Sequence, residues 1–306
     1  MAAIISIMKS LSRKTRVVIG IVGRKLLKFP PIPTASRLYF GNNAGLLENM
    51  RGQAILKNSK KQGLDSTSKE ILMNGFASLG DNFHKNAIVS SITTKFSNQL
   101  AEVEAVAKNP KVAYVVPLCK KIPDVYDLFD SRLNAIFDDY FLSDKWRITD
   151  ITAWRNYYWS SPKSEDVNSD LWHNDESRVD TLKLFIILSN GVTKDNGATQ
   201  IISIQNTKKA MRLGYFSRYK ILKPARKFLE NTDLINFMTG NNGGSFIFNP
   251  QICLHAAGRV QFGSIRDVLC VTVTSCNKSR NLIENFQSLS IEQEKLVVDG
   301  KSITYR

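Results

Sequence analysis

Histidine is scarce in this chain, and two of the histidines are spaced as metal ligands would be. Among 306 residues there are only three histidines; His173 opens the triplet His173-Asn174-Asp175, and His255 follows much later. Residues two apart on an extended strand project to the same face, so His173 and Asp175 can act together. With an imidazole from a second strand they form the two-histidine, one-carboxylate donor set of non-haem Fe(II) sites, which leaves one face of the metal open.

Each of these residues also has an ordinary structural explanation. His173 would cap a turn, His255 would be a hydrogen-bonded core histidine, and Arg266 would form a surface ion pair with Asp267. Their occurrence together, in this order and beside predicted strands, favours a metal site instead. Arg266 begins a predicted strand, where its guanidinium is suited to a two-pronged pair with the carboxylate of a bound acid.

The stretch from residue 66 to about 150 is predicted to be mainly helical. Apolar residues recur there at helical spacing in three stretches. These stretches are 66–74, 88–106 and 125–141. Gly75 is placed to end the first helix, and a short strand is predicted over 76–79.

From about residue 148 onward, short strand-like segments alternate with turn signals. The predicted strands cover 148–159, 181–188, 199–204, 245–248 and 267–274. Asn190-Gly191, Asn196-Gly197 and Asn249-Pro250 mark turns between them. Many short strands separated by such turns indicate a barrel or a jelly roll. A last hairpin is predicted at Asp299-Gly300.

Basic residues mark two further segments. Residues 1–47 carry Lys and Arg but no acidic residue. This pattern is typical of an amphipathic helix within residues 1–28 on an anionic membrane surface and equally of an organelle-targeting segment, and an arm packed on its own domain is a third alternative. The main domain is predicted over 48–276 with a basic insert at 206–240, and 277–306 form a C-terminal extension. Phe29-Pro30-Pro31-Ile32-Pro33 is predicted to be a linker.

The composition narrows the possible partners and compartment. The net charge of +15 favours anionic partners, whether phosphate esters, nucleic acid or anionic lipid. No zinc finger, RNP motif or helix-turn-helix signature occurs, so nucleic acid is not an expected partner. The four cysteines form no CxxC pair, which favours reduced thiols. No apolar run reaches the roughly 18–20 residues of a membrane span, so we expect a cytoplasmic or membrane-peripheral protein.

The stretch from Trp172 to Val273 resembles the phytanoyl-CoA dioxygenase-like family of Fe(II)/2-oxoglutarate oxygenases, with weaker similarity over about residues 70–276. The matching pieces are Trp172-His173-Asn174-Asp175, Leu184 to Leu188 with Asp195-Asn196-Gly197, Phe246 to His255, and Arg266. The resemblance implies that His173, Asp175 and His255 are the catalytic iron ligands. It also implies that Arg266 binds the far carboxylate of 2-oxoglutarate and that O2 is the other cosubstrate.

The fold implied by the resemblance is mainly β with flanking helices, a double-stranded β-helix (jelly roll, cupin-like) preceded by a helical segment. The implied reaction hydroxylates an unactivated C–H bond and releases succinate and CO2. Related halogenases lack a carboxylate at the position of Asp175, so hydroxylation is the expected outcome.

The substrate does not follow from the resemblance. Ile202-Ser203-Ile204-Gln205-Asn206 replaces a Pro-Gly-Ser/Thr-His stretch that family members often carry, and Asn174 stands where Gln is frequent. A fatty acyl-CoA substrate is therefore not carried over. The basic insert favours a small or lipid-like substrate with an anionic group, unless its charges form only a solvated helix face; Lys183 and Tyr158 are further candidate pocket residues.

Two other classes of function remain open at this point. One is a non-catalytic jelly-roll protein that binds a metal or an anionic ligand. The other is a basic peripheral membrane-binding protein in which the jelly roll is only a scaffold.

Overall fold

An eight-stranded sheet, a three-stranded sheet, a two-stranded hairpin and a set of helices make up the described part of the chain. A computed structural model describes residues 63–106, 112–116, 122–158, 168–175, 180–291, 295–298 and 301–303. The predicted amphipathic segment, the linker at 29–33 and the turn at 299–300 lie outside these residues. None of the described helices is both long enough and apolar enough to cross a bilayer.

The α-helices lie mostly in the first half of the described chain. They are α1 (Ser66–Asn74), α2 (Asn86–Val106), α3 (Ser131–Phe141), α4 (Ile204–Arg212), α5 (Lys223–Leu229) and α6 (Leu282–Ile291). The prediction that α1 ends at Gly75 is confirmed, because Gly75 adopts the left-handed conformation (φ 87°) and its N–H donates to the carbonyl oxygen of Ile71.

The single helix predicted over 125–141 is wrong in its extent. A 3₁₀ helix covers Pro123–Leu128, and α3 begins only at Ser131. The break occurs because Asp130 caps α3: its carboxylate accepts a hydrogen bond of 2.8 Å from the backbone N–H of Leu133. An aspartate satisfies an otherwise unpaired N–H better as an N-cap than inside a helix.

Thirteen strands are present in the described residues. They are β1 (Phe76–Gly80), β2 (Val112–Val116), β3 (Trp146–Tyr157), β4 (Thr181–Ile187), β5 (Thr199–Ile201), β6 (Tyr215–Ser217), β7 (Lys220–Ile221), β8 (Asn236–Met238), β9 (Ser245–Phe248), β10 (His255–Ala256), β11 (Ile265–Ser275), β12 (Lys295–Val298) and β13 (Lys301–Ile303). The main sheet has the order β1-β9-β4-β11-β3-β2-β12-β13, and a small sheet has the order β10-β5-β8. The predicted C-terminal hairpin is confirmed as the β12–β13 pair.

Between β3 and β11 the chain passes repeatedly from one sheet to the other. It leaves the main sheet after β3, reaches the small sheet at His173, returns at β4, and crosses again for β5 and β8. It comes back at β9, crosses for β10 and ends in the main sheet at β11. His173 belongs with the small sheet because it forms an antiparallel bridge with His255 of β10.

The main sheet has two different faces. One face packs against the small sheet in an apolar cluster that includes Phe185, Cys270, Ile201 and Met238. The opposite face joins a larger core with α1, α2 and α3. Because side chains alternate along a strand, Lys183 and Arg266 lie on the face that meets the small sheet, in line with Phe185 and Cys270.

The strand predicted over 199–204 is shorter in the structure. It ends at Ile201, and the side chain of Ser203 caps α4 by accepting from the backbone N–H of Asn206 at 3.2 Å. The basic stretch that follows contains α4, the β6–β7 hairpin and α5. Its last part, β8, pairs with β5 and so forms the edge of the small sheet.

Candidate metal centre

The three predicted metal ligands come together at one point between the sheets. The Nε2 atom of His173 lies 3.5 Å from Oδ1 of Asp175, and Nε2 of His255 lies 3.6 Å from the same oxygen. Ligand atoms from the three residues all lie within 4.8 Å of one another. Both histidines are buried and Asp175 is partly buried, so the donors point into a largely enclosed space.

Backbone pairing places the two imidazoles side by side. The N–H of His173 donates to the carbonyl of His255, and the N–H of His255 donates back, both at 2.9 Å. Directly opposed residues of an antiparallel pair project to the same face, and the two ring centroids are 4.2 Å apart. The N–H of Asp175 donates to the carbonyl of Pro250 at 2.9 Å, which fixes the third ligand.

Both imidazoles have one nitrogen committed to the backbone. Nδ1 of His173 lies 2.8 Å from the carbonyl oxygen of Leu171, and Nδ1 of His255 lies 3.1 Å from that of Cys253. A carbonyl only accepts, so these contacts assign the proton to Nδ1 and leave the Nε2 lone pair for a metal. Burial, followed by the charge of His255, lowers the pKa of His173 to about 4, which keeps its imidazole neutral near pH 7.

Asp175 carries its charge despite its burial. Burial raises the pKa of the carboxyl group, but its interactions with His255 and Lys183 lower that pKa by more, and the net pKa falls well below its usual range. A neutral imidazole on His173 and a charged carboxylate on Asp175 are therefore present together. These are the protonation states that a divalent metal requires of its ligands.

Lys183, a candidate pocket residue from the sequence, contacts one of the predicted metal ligands. The sequence alone did not predict this contact. Nζ of Lys183 lies 2.5 Å from Oδ2 of Asp175. The available signal was its position in β4, where a lysine stands between Leu182 and Leu184 on an otherwise apolar strand. Tyr158, the other candidate pocket residue, instead makes an edge-to-face contact with Phe262, with ring centroids 5.2 Å apart.

Arg266 is buried beside the site, on the β11 face that meets the small sheet. Its guanidinium donates to Oγ1 of Thr199 in β5 and, at 3.4 Å, to Oδ1 of Asn156 in β3. Burial lowers the pKa of Arg266 to about 10, so it stays protonated near pH 7. The negative charge of Asp170 opposes this shift, although Arg266 forms no ion pair among the residues that the structure describes.

The predicted Asn196-Gly197 turn makes room for this arginine. Gly197 has a φ of 78°, which a side chain rarely adopts, and a Cβ built on it would lie 3.1 Å from Cδ of Arg266. The sequence predicted only a turn at this position. In the structure the turn packs directly against Arg266, the residue expected to bind 2-oxoglutarate.

The donor set suits a first-row divalent metal. Imidazole nitrogen and carboxylate oxygen are ligands of Fe(II), and two histidines with one carboxylate leave positions open for other ligands. The arrangement is consistent with Fe(II) as the metal and with 2-oxoglutarate and O2 as cosubstrates.

No family model matches this chain, and no curated protein sequence matches it. Similar solved structures include AviO1 from Streptomyces viridochromogenes Tue57, at 13% identity and a TM-score of 0.47 over 72% of this chain and 98% of that one. The alpha-ketoglutarate-dependent carbocyclase SnoK from nogalamycin biosynthesis shares 11% identity, with a TM-score of 0.49 over 80% and 95%. The apoform of EctD from S. alaskensis shares 14%, with a TM-score of 0.48 over 68% and 75%. These likenesses are too weak to assign an activity, and membership of the phytanoyl-CoA dioxygenase-like family stays a prediction.

Proposed function

We propose that this protein is an Fe(II)- and 2-oxoglutarate-dependent dioxygenase that hydroxylates an unactivated C–H bond. The observation that carries the proposal is the convergence of two Nε2 atoms on one oxygen of Asp175. Arg266 is buried and forms no ion pair among the described residues, and only the more distant charge of Asp170 offsets its burial. A buried, unpaired cation is costly. The far carboxylate of 2-oxoglutarate would compensate Arg266.

The fold proposed for this enzyme is a double-stranded β-helix of the jelly-roll, cupin-like type. Its support is the repeated crossing of the chain between the two sheets from β3 to β11. In such an arrangement each metal ligand arrives from the small sheet or its extension, while Lys183 and Arg266 reach in from the main sheet.

Each residue of the site has a separate task. His173 and His255 would hold the metal through Nε2, and Asp175 through Oδ1. Arg266, held by Thr199 and Asn156, would orient 2-oxoglutarate through its far carboxylate. When bound, Fe(II) supplies the activation of O2 that is coupled to conversion of 2-oxoglutarate to succinate and CO2. The buried aromatic residues around the ligands, such as Phe248 at 5.1 Å from the ring centroid of His255, keep water away.

We propose that the substrate is a small or lipid-like molecule with an anionic group, and that the β6–β7 hairpin covers it. Tyr215 on this hairpin donates from its hydroxyl to the carbonyl of Trp172 at 2.9 Å, so the hairpin is tied to the residue before His173. Arg218, two residues before β7, is half-buried and has no hydrogen-bond or ion-pair partner in the described part of the chain.

The charge of Arg218 also reaches the metal centre. Burial is the largest cause of the lowered pKa of His173, and the positive charge of Arg218 contributes to it. A half-buried positive charge close enough to affect His173 would repel a divalent cation bound there, and a nearby negative charge would offset this repulsion. An anionic group on the substrate would fill that role.

Turnover of 2-oxoglutarate tests the proposal. Protein loaded with Fe(II) would be incubated with 2-oxoglutarate in air, and succinate would be quantified by NMR. We expect slow succinate formation that needs both Fe(II) and O2 and is absent in Asp175→Ala. A folded, iron-loaded protein that neither binds nor decarboxylates 2-oxoglutarate would instead be a non-catalytic metal- or anion-binding protein.

A further inference from the structure

The two oxygens of the Asp175 carboxylate face different partners. Oδ1 lies between the Nε2 atoms of His173 and His255, at 3.5 and 3.6 Å. Oδ2 lies 2.5 Å from Nζ of Lys183. One oxygen thus faces the two imidazoles, and the other faces an ammonium group.

Lys183 reaches this position from inside an apolar face. It is on β4 in line with Phe185, and its cross-strand neighbours are Phe248 of β9 and Thr272 of β11. Its side chain is only 24% exposed. Lysine is almost never buried without a partner, because removing an ammonium from water is costly. The pair with Asp175 compensates that cost, and in doing so it fixes the orientation of the carboxylate.

We propose that Lys183 is a positioning residue that confines Asp175 to one-oxygen ligation of the metal. A carboxylate can bind a metal through one oxygen or through both. If Oδ2 also bound, it would occupy a position on the open face that 2-oxoglutarate and O2 require. The inference rests on the proposed function, since it presupposes a metal at the three ligands.

Charge determines the direction in which each affinity changes when Lys183 is neutralised. The ammonium repels a divalent cation and competes for the carboxylate, so its loss does not weaken metal binding. The same loss frees Oδ2 to bind the metal and removes a positive charge that attracts the dianion 2-oxoglutarate. A lysine that served only to stabilise the fold would give another result, because both affinities and the melting temperature would fall together.

The experiment separates the two affinities. Mn(II), which is not oxidised in air, would be titrated and its free fraction measured by EPR; 2-oxoglutarate binding to the Mn(II)-loaded protein would be measured by calorimetry. The variants are Lys183→Met, Lys183→Gln and Lys183→Arg. Lys194→Met is the matched control, because it makes the same charge change at an exposed lysine. The Nζ atom of Lys194 lies over the ring of Phe237, 5.3 Å from the ring centroid.

For Lys183→Met we expect Mn(II) affinity equal to or tighter than wild type. We expect 2-oxoglutarate affinity to be about tenfold weaker, a loss of about 1.4 kcal/mol, because a positive charge that attracts the dianion is removed. Lys183→Arg should recover most of the 2-oxoglutarate affinity, and Lys194→Met should match wild type in both. Lys183→Gln keeps a hydrogen-bond donor for Oδ2 but not the charge, so we expect an intermediate loss of 2-oxoglutarate affinity. This variant replaces Lys183→Met in the test if the methionine variant does not fold.

Two kinds of result would overturn the inference. Weaker Mn(II) binding with unchanged 2-oxoglutarate affinity would make Lys183 a support for the metal ligands, and no change in either constant would remove its role altogether. In both cases the proposed function would stand. If wild-type protein bound no Mn(II), the proposed function itself would fail, and the inference with it.

Discussion

Two pairs of a cation and a carboxylate lie on opposite faces of the main sheet: one is buried and closed on both carboxylate oxygens, and the other is partly buried and closed on one. Arg155 of β3 holds both oxygens of Asp267 of β11, with Nε to Oδ1 at 2.8 Å and Nη2 to Oδ2 at 2.7 Å. Lys183 of β4 holds only one oxygen of Asp175. The first pair lies on the helix-covered face, where Arg155 also contacts Ser97 of α2.

The difference shows how similar residue types serve structure in one place and ligand binding in another. A planar guanidinium matches both oxygens of a carboxylate, so the Arg155–Asp267 pair has no oxygen left for a ligand. An ammonium is a point charge that satisfies one oxygen and leaves the other to the two imidazoles. We therefore assign the closed pair to stability and the open pair to metal binding.

Removing the carboxylate of the open pair should have the largest effect on function. We expect Asp175→Ala to lose Mn(II) binding altogether, since two histidines alone do not complete the donor set. Its melting temperature should also fall, because Lys183 loses the carboxylate that compensates its burial, but by less than in a variant of the closed pair, because Lys183 is still 24% exposed. EPR titration measures the loss of Mn(II) binding, and thermal unfolding measures the change in melting temperature. Tight Mn(II) binding by Asp175→Ala would contradict the assignment of Asp175 as a ligand.

Removing the carboxylate of the closed pair should act on stability instead. Asp267→Ala leaves a buried guanidinium without its partner, and we expect the free energy of unfolding to fall by about 3–5 kcal/mol. Urea unfolding measures the loss. A matched double variant, Arg155→Met with Asp267→Leu, removes both charges and should recover most of the stability. If stability did not recover, the loss in Asp267→Ala would not be due to the uncompensated charge of Arg155.

Arg266 provides a test on the same face as the open pair. Its loss should weaken 2-oxoglutarate binding to the metal-loaded protein by roughly 10- to 100-fold, since a hydrogen bond to a charged group contributes about 1.5–3 kcal/mol. Calorimetry on Arg266→Ala gives the value. Mn(II) affinity should stay at the wild-type level, and a parallel loss of metal binding would show that the two sites are not separable.

The smallest effect is expected at the turn that packs on Arg266. Gly197→Ala forces a side chain into a φ of 78° and places a Cβ 3.1 Å from Cδ of Arg266. The conformational cost is about 1 kcal/mol, and the displaced arginine should weaken 2-oxoglutarate binding by a few fold. Gly191→Ala is the control, because Gly191 has a similar φ of 70° but nothing within 4 Å of its Cβ position. An equal loss of 2-oxoglutarate affinity in both variants would exclude a specific effect on Arg266.

The sequence predicted most strands, and the shared face of His173 and Asp175, because both depend on local spacing. The place of His255 and the ligand roles came from the resemblance to a family, and the ligand roles stay a prediction. His173 and Asp175 are two apart, and strand alternation alone puts them on one face, while β4, β9 and β11 are marked by apolar runs and turns. The predicted bounds of the helix over 125–141 and of the strand over 199–204 were wrong. In each stretch a side chain, that of Asp130 or Ser203, caps a helix that begins there. The role of Lys183 depends on a contact across two sheets, and strand spacing does not specify which residues meet there.

The most direct test of the central claim is an anaerobic titration of the Fe(II)-loaded protein with 2-oxoglutarate, followed by visible absorption. We expect the weak charge-transfer band of a chelated complex to grow and saturate in wild type, to be absent in His255→Ala and to require far more 2-oxoglutarate in Arg266→Ala. A folded, Fe(II)-loaded wild-type protein that shows no band at saturating 2-oxoglutarate would contradict the assignment of this centre as an oxygenase site.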